Sequence, residues 1–370
     1  MLLCDELLVY YMKNFPTISV IIPVYNVERY VERCLMSVIA QTYDASLIEC
    51  IVVDDCGSDK SMSIVSRIIE SYDGNICFKL VANDCNSGLS VARNTGMQYA
   101  SCDYLFFLDS DDWIESDCLE SLVNALMLHP DAEVIVGNTF YVKGQRKWVY
   151  EKDVPSGIIN NTKLQELFFQ FKIPDTVWNT LYKREIVEKY KMSFVPKLLH
   201  EDQLWSFCLY QNIDKYLFVP QITLTYEDNP VSLVNMFKKD YSREVESIIY
   251  ILNHIINNFS YAHYVDNTLY IQEYLMRYFD ICDKEQALLK QKKQLKEIRN
   301  KLFIRDVLCF RLVLVMFELQ LFNPIRWIVS KTKWYRNHYS YISNTVRRIA
   351  YCFSPLHSQN NRTNSVIRNE

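Results

Sequence analysis

The chemistry of this chain is concentrated in Leu105-Phe106-Phe107-Leu108-Asp109-Ser110-Asp111-Asp112-Trp113, where an apolar run ends in three carboxylates within four positions. Such a run predicts a buried strand that delivers its acids together at its C-terminal end. Carboxylates held this close repel one another unless a cation sits among them. Hard oxygen donors on a short turn suit Mg2+ or Mn2+, which keep waters and take further oxygens from a phosphate. An acidic turn alone is a weak signal, because most such turns are merely solvated.

Three further clusters strengthen it. In Ile18–Asn26 an apolar run breaks at Pro23 and turns through Tyr25 and Asn26. In Ile51–Asp59 another ends in Asp54 and Asp55, then a Gly57 turn, with Ser58 and Asp59 placed to cap the next helix. In Asn86–Gly96 a turn at Gly88 opens a predicted helix carrying Arg93 and Asn94 near its start. Backbone N–H groups and an arginine at a helix N-terminus favour anionic ligands. Taken singly, Asp54 reads as a cap and Arg93 as the partner of a sheet-end carboxylate. All the clusters fall at predicted strand ends, the position where open α/β sheets bind ligands. The chain contains neither G-x-x-x-x-G-K-[ST] nor G-x-G-x-x-G, so a P-loop and a dinucleotide fingerprint are excluded.

The elements that must hold these clusters alternate. Ile18–Pro23, Ile48–Val53, Cys77–Ala82 and Tyr104–Leu108 read as strands, while 29–41, 60–71, 89–100 and 118–128 read as helices. The order predicts an α/β fold with a mostly parallel sheet flanked by helices. From Glu133 to about Tyr226 the pattern loosens into shorter elements, and beyond Asn235 it reads as helix almost throughout. The expected domains are residues 1–17 as an N-terminal appendage, 18–234 as the α/β domain and 235–370 as a helical C-terminal extension.

At 370 residues and 49% hydrophobic content, the chain can bury one large core or two modest ones. Its 12 cysteines include no C-x-x-C pair, which argues against a zinc site or a disulfide framework and for a reducing compartment. Cys4-Asp5-Glu6 follows Leu2-Leu3 at once, so no secretory leader is expected. The net charge of −4 hides a split, with −16 on residues 1–283 and +12 on residues 284–370. The apolar stretch Val307–Phe322 is shorter than the ~20 residues a membrane span needs. Trp327, Lys331, Lys333, Trp334, Tyr335 and Arg336 follow it, a mixture suited to a helix lying on an anionic membrane face. A packed helical subdomain is the plainer alternative, and nucleic-acid binding the least favoured.

The strings SVIIPVYNVERYVERCLMSVIAQTY, IVVDDCGSD, NSGLSVARNTG and YLFFLDSDDW together resemble the family 2 inverting glycosyltransferases of GT-A fold, of the bacterial polysaccharide type. The likeness runs from about Ile18 to Val234. It includes the later Trp178-Asn179-Thr180-Leu181-Tyr182 and His200-Glu201-Asp202 motifs. The resemblance implies a Rossmann-like sheet and transfer of a sugar from a nucleotide donor, probed first as a UDP-sugar, with Mn2+ or Mg2+ as cofactor. It implies that Pro23, Tyr25 and Asp55 line the base pocket and that Arg93 lies near the diphosphate. Asp109 and Ser110 would meet the donor, with Asp111, and secondarily Asp109, holding the metal. Asp202 would be the general base and Glu201 its alternative; capping the following helix is the plain reading of Asp202. The acceptor is expected to be a glycan or lipid-linked oligosaccharide, and the protein cytoplasmic, peripheral on the inner face of the plasma membrane, with no nucleic-acid partner. One departure stands out. Relatives often carry an aromatic-Arg pair before N-P-x-S, where this chain has Tyr226-Glu227-Asp228-Asn229-Pro230, so the expected cation is missing. The rivals are a sugar nucleotidyltransferase and a non-catalytic binding protein on the same fold.

Overall fold

The structure is a computed structural model that describes residues 15–149, 154–155, 157–229, 241–258, 264–284 and 288–305. The chain divides into two compact units, with the break between Lys239 and Asp240.

The first unit opens with β1 (Ile18–Val24), α1 (Val31–Ile39), β2 (Ile48–Asp54), α2 (Ser61–Glu70), β3 (Cys77–Ala82), α3 (Leu89–Tyr99) and β4 (Tyr104–Phe107). These strands pair in parallel in the order β3-β2-β1-β4, as the alternating pattern predicts. Every residue of β1 and β4 is buried, which explains why neither alternates polar and apolar side chains. Pro23 lies beyond the last residue that β4 pairs with, Ile21, so its missing N–H forfeits nothing on that side. Helix α3 lies close on β1, because a Cβ at Gly96 would run into Ile21.

The remaining elements are β5 (Trp113–Ile114), α4 (Cys118–Leu128), β6 (Val134–Lys143), β7 (Arg146–Val149), β8 (Gly157–Asn160), α5 (Asn161–Phe169), β9 (Thr180–Lys183), α6 (Arg184–Lys189), α7 (Glu201–Tyr210) and β10 (Lys215–Glu227). They extend the sheet as β4-β9-β6-β10-β5, with β7 on β6 and β8 on β10. Here parallel pairing survives only between β6 and β10, and the other ladders are antiparallel. The tight turn at Gly144 (φ 57°) between β6 and β7 permits nothing else, since parallel neighbours need a long crossover. The outcome is a mixed, helix-flanked sheet whose first four strands hold the predicted parallel core.

A polar lock closes the sheet edge away from the acid clusters. Glu49 of β2 is buried and accepts hydrogen bonds from Ser19 Oγ (2.7 Å), Ser101 N (3.0 Å) and Ser101 Oγ (2.6 Å), with Lys79 Nζ at 2.5 Å. Burial works to raise this carboxyl, but the bonds from Lys79, Ser101 and Ser19 outweigh it and hold it below the usual range.

The second unit is described as α8 (Tyr241–Asn258), α9 (Tyr264–Lys284) and α10 (Leu289–Arg305). Helix α8 buries Val245, Ile248, Leu252 and Ile255 at helical spacing. Helix α10 buries Gln291, Leu295, Ile298 and Leu302 on one stripe and exposes Lys293, Lys296, Arg299 and Lys301. Gln291 Nε2 donates to Ser242 Oγ and Glu246 Oε1, both at 3.1 Å, so the polar member of that stripe is satisfied. Among the described residues no helix is long and apolar enough to cross a membrane. Val307–Phe322 and the basic-aromatic stretch after it lie outside the described residues.

Because the folded carboxyl of Glu49 titrates below its unfolded value near 4.3, its contribution is complete above that value and fades as pH falls through it. Glu49→Gln is therefore expected to cost about 2 kcal/mol at pH 7 in urea unfolding. The gap to wild type should narrow steadily below about pH 4.

Candidate active site

The parallel order places the C-terminal ends of β1, β2 and β4 on one edge of the sheet. Four segments meet there: the Pro23–Asn26 turn, the Asp54–Asp59 turn, the start of α3 and the acidic turn after β4.

Asp55 is buried and both its oxygens are occupied. Oδ1 accepts from Asn83 Nδ2 (2.7 Å) and Ser87 N (3.0 Å), and Oδ2 accepts from Gly88 N (2.8 Å). It therefore holds the turn that enters α3 at Gly88, whose φ of 89° suits a residue without a Cβ. Tyr25 is 42% exposed at the lip of the same edge, and Pro23 is buried behind it. Neither predicted residue is the cap of α2, which is Lys60; Asp59, one position earlier, accepts from Ser61 N (2.9 Å) and from Glu28 N across the turn (2.8 Å).

Arg93 joins the rest. Its side chain is 1% exposed, and Nη2 reaches Asp109 Oδ1 at 2.7 Å. Nη1 reaches Glu201 Oε1 at 2.8 Å and Asp202 Oδ1 at 2.9 Å. One guanidinium thus ties the start of α3 to the turn after β4 and to the first turn of α7. The resemblance placed Arg93 near a diphosphate; here it is enclosed by three carboxylates. Burial alone would lower its pKa, but Asp109, Asp202 and Glu201 together outweigh burial and keep it protonated. Its Nε has no partner among the described residues.

Asp202 is not acting as a helix cap. His200 occupies the N-cap in the left-handed region (φ 60°), and the Asp202 carboxylate turns to Arg93. Burial pushes its pKa well up; Arg93 pulls the other way, and Glu201 and Asp109 add to the rise. Helix α7 is fixed by Trp205, which stacks on Phe194 at 4.3 Å and meets Phe107 of β4 edge-on. The Trp178-Asn179 motif lies under this region as scaffolding. Asn179 Nδ2 donates to Asn138 O (3.0 Å) and Thr139 Oγ1 (3.2 Å), and its Oδ1 accepts from Thr223 Oγ1 (2.7 Å).

The acidic turn is short of positive charge. Asp109 and Asp111 are half-buried, Ser110 and Asp112 buried. Asp112 Oδ1 accepts from Glu227 N at 3.1 Å, while Oδ2 has no partner among the described residues. Burial, then Asp111 and Asp109, pushes the Asp112 carboxyl well above its ordinary value. Asp111 is also raised, first by burial and then by Asp109, although Asn229 Nδ2 donates to it at 3.1 Å. Among the described residues no three His, Cys, Asp or Glu side chains form a ready ligand set. The orphaned Asp112 oxygen and the mutually raised acids nonetheless fit a divalent cation that draws its other oxygens from a diphosphate and water.

Sequence reasoning missed the cation that answers Glu227. Arg33 of α1 brings Nη2 to 2.5 Å from Glu227 Oε2 and 3.3 Å from Asp111 O, with its guanidinium 3.6 Å above the Trp113 ring. The charge absent from the Tyr226-Glu227 loop is supplied from another element. No local signal marks a partner so distant along the chain.

The family model for Glycosyl transferase family 2 matches residues 19–191. An uncharacterized glycosyltransferase of Haemophilus influenzae is 32% identical over 259 residues, covering 66% of this chain and 98% of that relative. The chain belongs to glycosyl transferase family 2. Glycosyltransferase GlyA of Streptococcus pneumoniae is 32% identical over 235 residues, 60% of this chain but only 32% of that protein. The chain thus spans about a third of that relative's length. Among solved structures, residues 1–349 of Staphylococcus aureus TarS in complex with UDP-GlcNAc align with a TM-score of 0.61. That match has 21% identity and covers 76% of this chain and 79% of that one. The likeness confirms the GT-A fold of this family 2 member. The Asp109–Asp112 turn, Arg93 and the Glu201-Asp202 pair lie within or just beyond the family match.

Removing the shared cation leaves three carboxylates facing one another in a partly dry site. Arg93→Ala is expected to cost about 3–5 kcal/mol at pH 7. Urea unfolding followed by circular dichroism should show that loss shrinking toward pH 4, as the acids take up protons and stop repelling.

Proposed function

We propose that this family 2 glycosyltransferase is metal-dependent and inverting, and moves a sugar from a UDP-sugar to a glycan or lipid-linked acceptor in cell-surface polysaccharide synthesis. The observation that carries the reading is the convergence of Asp109 and Asp202 on Arg93, which sets the acidic turn and the α7 carboxylates side by side. Pro23 and Tyr25 line the nucleoside end of the donor, and Asp55 shapes that pocket by holding the Gly88 turn. Asp111 and Asp109 would hold Mn2+ or Mg2+, and Ser110 sits between them on the donor side. When bound, the ion supplies charge that eases departure of the diphosphate.

The step itself belongs to the acceptor side. A sugar hydroxyl is a poor nucleophile at neutral pH, and a positioned carboxylate accelerates its attack by about 10²–10⁴-fold. Asp202 takes that proton as the hydroxyl oxygen attacks the anomeric carbon from the face opposite the leaving diphosphate. A single displacement inverts the anomeric centre. Burial beside Glu201 and Asp109 raises the basicity of Asp202, while Arg93 keeps its carboxylate oriented. Glu201 shares the same Nη1 and is the alternative base. The inner-membrane placement of the acceptor rests on the basic composition of residues 284–370 alone.

Asp202→Asn is expected to lower transfer at least ~10²-fold while leaving the thermal shift produced by UDP with Mn2+ within error of wild type. Loss of both together would remove Asp202 from the base role. Asp111→Ala should abolish the Mn2+-dependent part of that UDP shift. A thermal-shift series with UDP, GDP, dTDP and CDP identifies the base: a shift with GDP alone would keep the transferase and change the donor, and no shift with any would point to a non-catalytic protein.

A further inference from the structure

Three aromatic side chains lie in one row across three adjacent strands. In the β6–β7 ladder Trp148 is the register partner of Tyr141, and in the β6–β10 ladder Tyr141 is the partner of Tyr226. Their rings follow that register. Trp148 stacks on Tyr141 at 5.4 Å and 10°, and Tyr141 meets Tyr226 at 5.5 Å. Tyr226 in turn stacks on buried Trp178 at 6.0 Å and 21°, and Trp178 bridges to Phe107 at the end of β4. The row therefore starts on an outer hairpin and ends beside the acidic turn. The Tyr226 hydroxyl registers this: burial, then Asp112 and Asp111, push its pKa up.

The outer end is open. Trp148 is 41% exposed, and among the described residues its stacking partner is Tyr141. Among the described residues strand β7 pairs with β6 alone, and its residues Arg146 and Lys147 are exposed. Polar groups flank the row. Asp228 N donates to Val142 O, and the Asp228 carboxylate sits 3.1 Å from Lys143 Nζ. An exposed aromatic face bordered by a carboxylate and cations matches the two sides of a pyranose: ring C–H groups for the negative π face, hydroxyls for the charges.

We propose that Trp148, Tyr141 and Tyr226 form a saccharide-stacking subsite that holds the acceptor glycan, with one sugar ring on the exposed part of Trp148 and the chain directed toward the acidic turn. The inference rests on the transferase reading and names the residues that would receive its second substrate. The test uses the full-length protein with chitotriose, maltotriose and laminaritriose, observed by saturation-transfer NMR with and without UDP and Mn2+. Wild type should bind at least one trisaccharide through its ring C–H face. Trp148→Ala should weaken that binding by roughly tenfold, as expected for loss of a stacking partner worth about 1.4 kcal/mol. Trp148→Phe should restore most of it, and the UDP shift should be unchanged in both variants. Wild type that binds none of the three, or Trp148→Ala that binds like wild type, overturns the subsite. A Trp148→Ala protein that also loses the UDP shift overturns it as well, by placing Trp148 in donor binding or folding. Trisaccharide binding through Trp148 with no nucleotide shift in wild type would instead keep the stacking row and remove the transferase reading.

Discussion

The start of α3, the turn after β4 and the start of α7 are tied together by one buried cation. Three carboxylates from two distant segments would not approach each other in a partly dry site unless something repaid their desolvation and mutual repulsion. Arg93 does this with both terminal nitrogens. A lysine could supply the charge but not the fork, and the fork is what sets Asp109 on one side and Asp202 on the other. The position of Arg93 is itself inherited from deeper in the fold: α3 lies on β1 because Gly96 admits Ile21, and α3 begins where Asp55 holds the Gly88 turn. Donor-side geometry and acceptor-side geometry are thus not independent. A shift in the Gly88 turn would move the guanidinium and, with it, the proposed base.

The acidic turn shows the opposite condition. Arg93 compensates Asp109, but among the described residues the donors to Asp111 and Asp112 from other residues are an amide and a backbone N–H. Arg33 comes near, yet its charge is taken up by Glu227 and its contact to Asp111 is with the carbonyl. Among the described residues there is enough cation to hold the site together and too little to neutralise it. A divalent ion would meet that shortfall and would take its further oxygens from a diphosphate and water.

How legible this was in the sequence depended on the range of the interaction. The parallel half, β3-β2-β1-β4, was readable because β1, β2 and β4 are buried on both faces and the turns carry local chemistry: Pro23, Gly57, Gly88. The antiparallel half was not, because β5, β8 and β9 are short and their apolar content does not distinguish strand from loop. The site residues were visible by type and motif, but their partners were not. The resemblance assigns Asp55 to the base pocket, but only the structure shows Asn83 and the Ser87 and Gly88 amides on its oxygens. Arg93 reads as an anion ligand until its three acids appear, and Glu227 reads as a lost cation until Arg33 arrives from α1. Each of these partners lies 16 or more residues away along the chain, where no periodicity carries information.

The same distinction explains why acceptor recognition is harder to read than donor recognition. Donor contacts arise at turns, where a few consecutive residues define the geometry and leave a motif. The aromatic row arises from register: Trp148, Tyr141 and Tyr226 are aligned only because β7, β6 and β10 pair with those residues opposite one another. A one-residue slip would turn Trp148 to the other face of the sheet. Scattered aromatics in an irregular stretch of sequence therefore become a surface only after the mixed half of the sheet has formed. On this proposal the donor turns follow β1, β2 and β4 while the acceptor row lies across β7, β6 and β10, so the two are specified by different stretches of the chain.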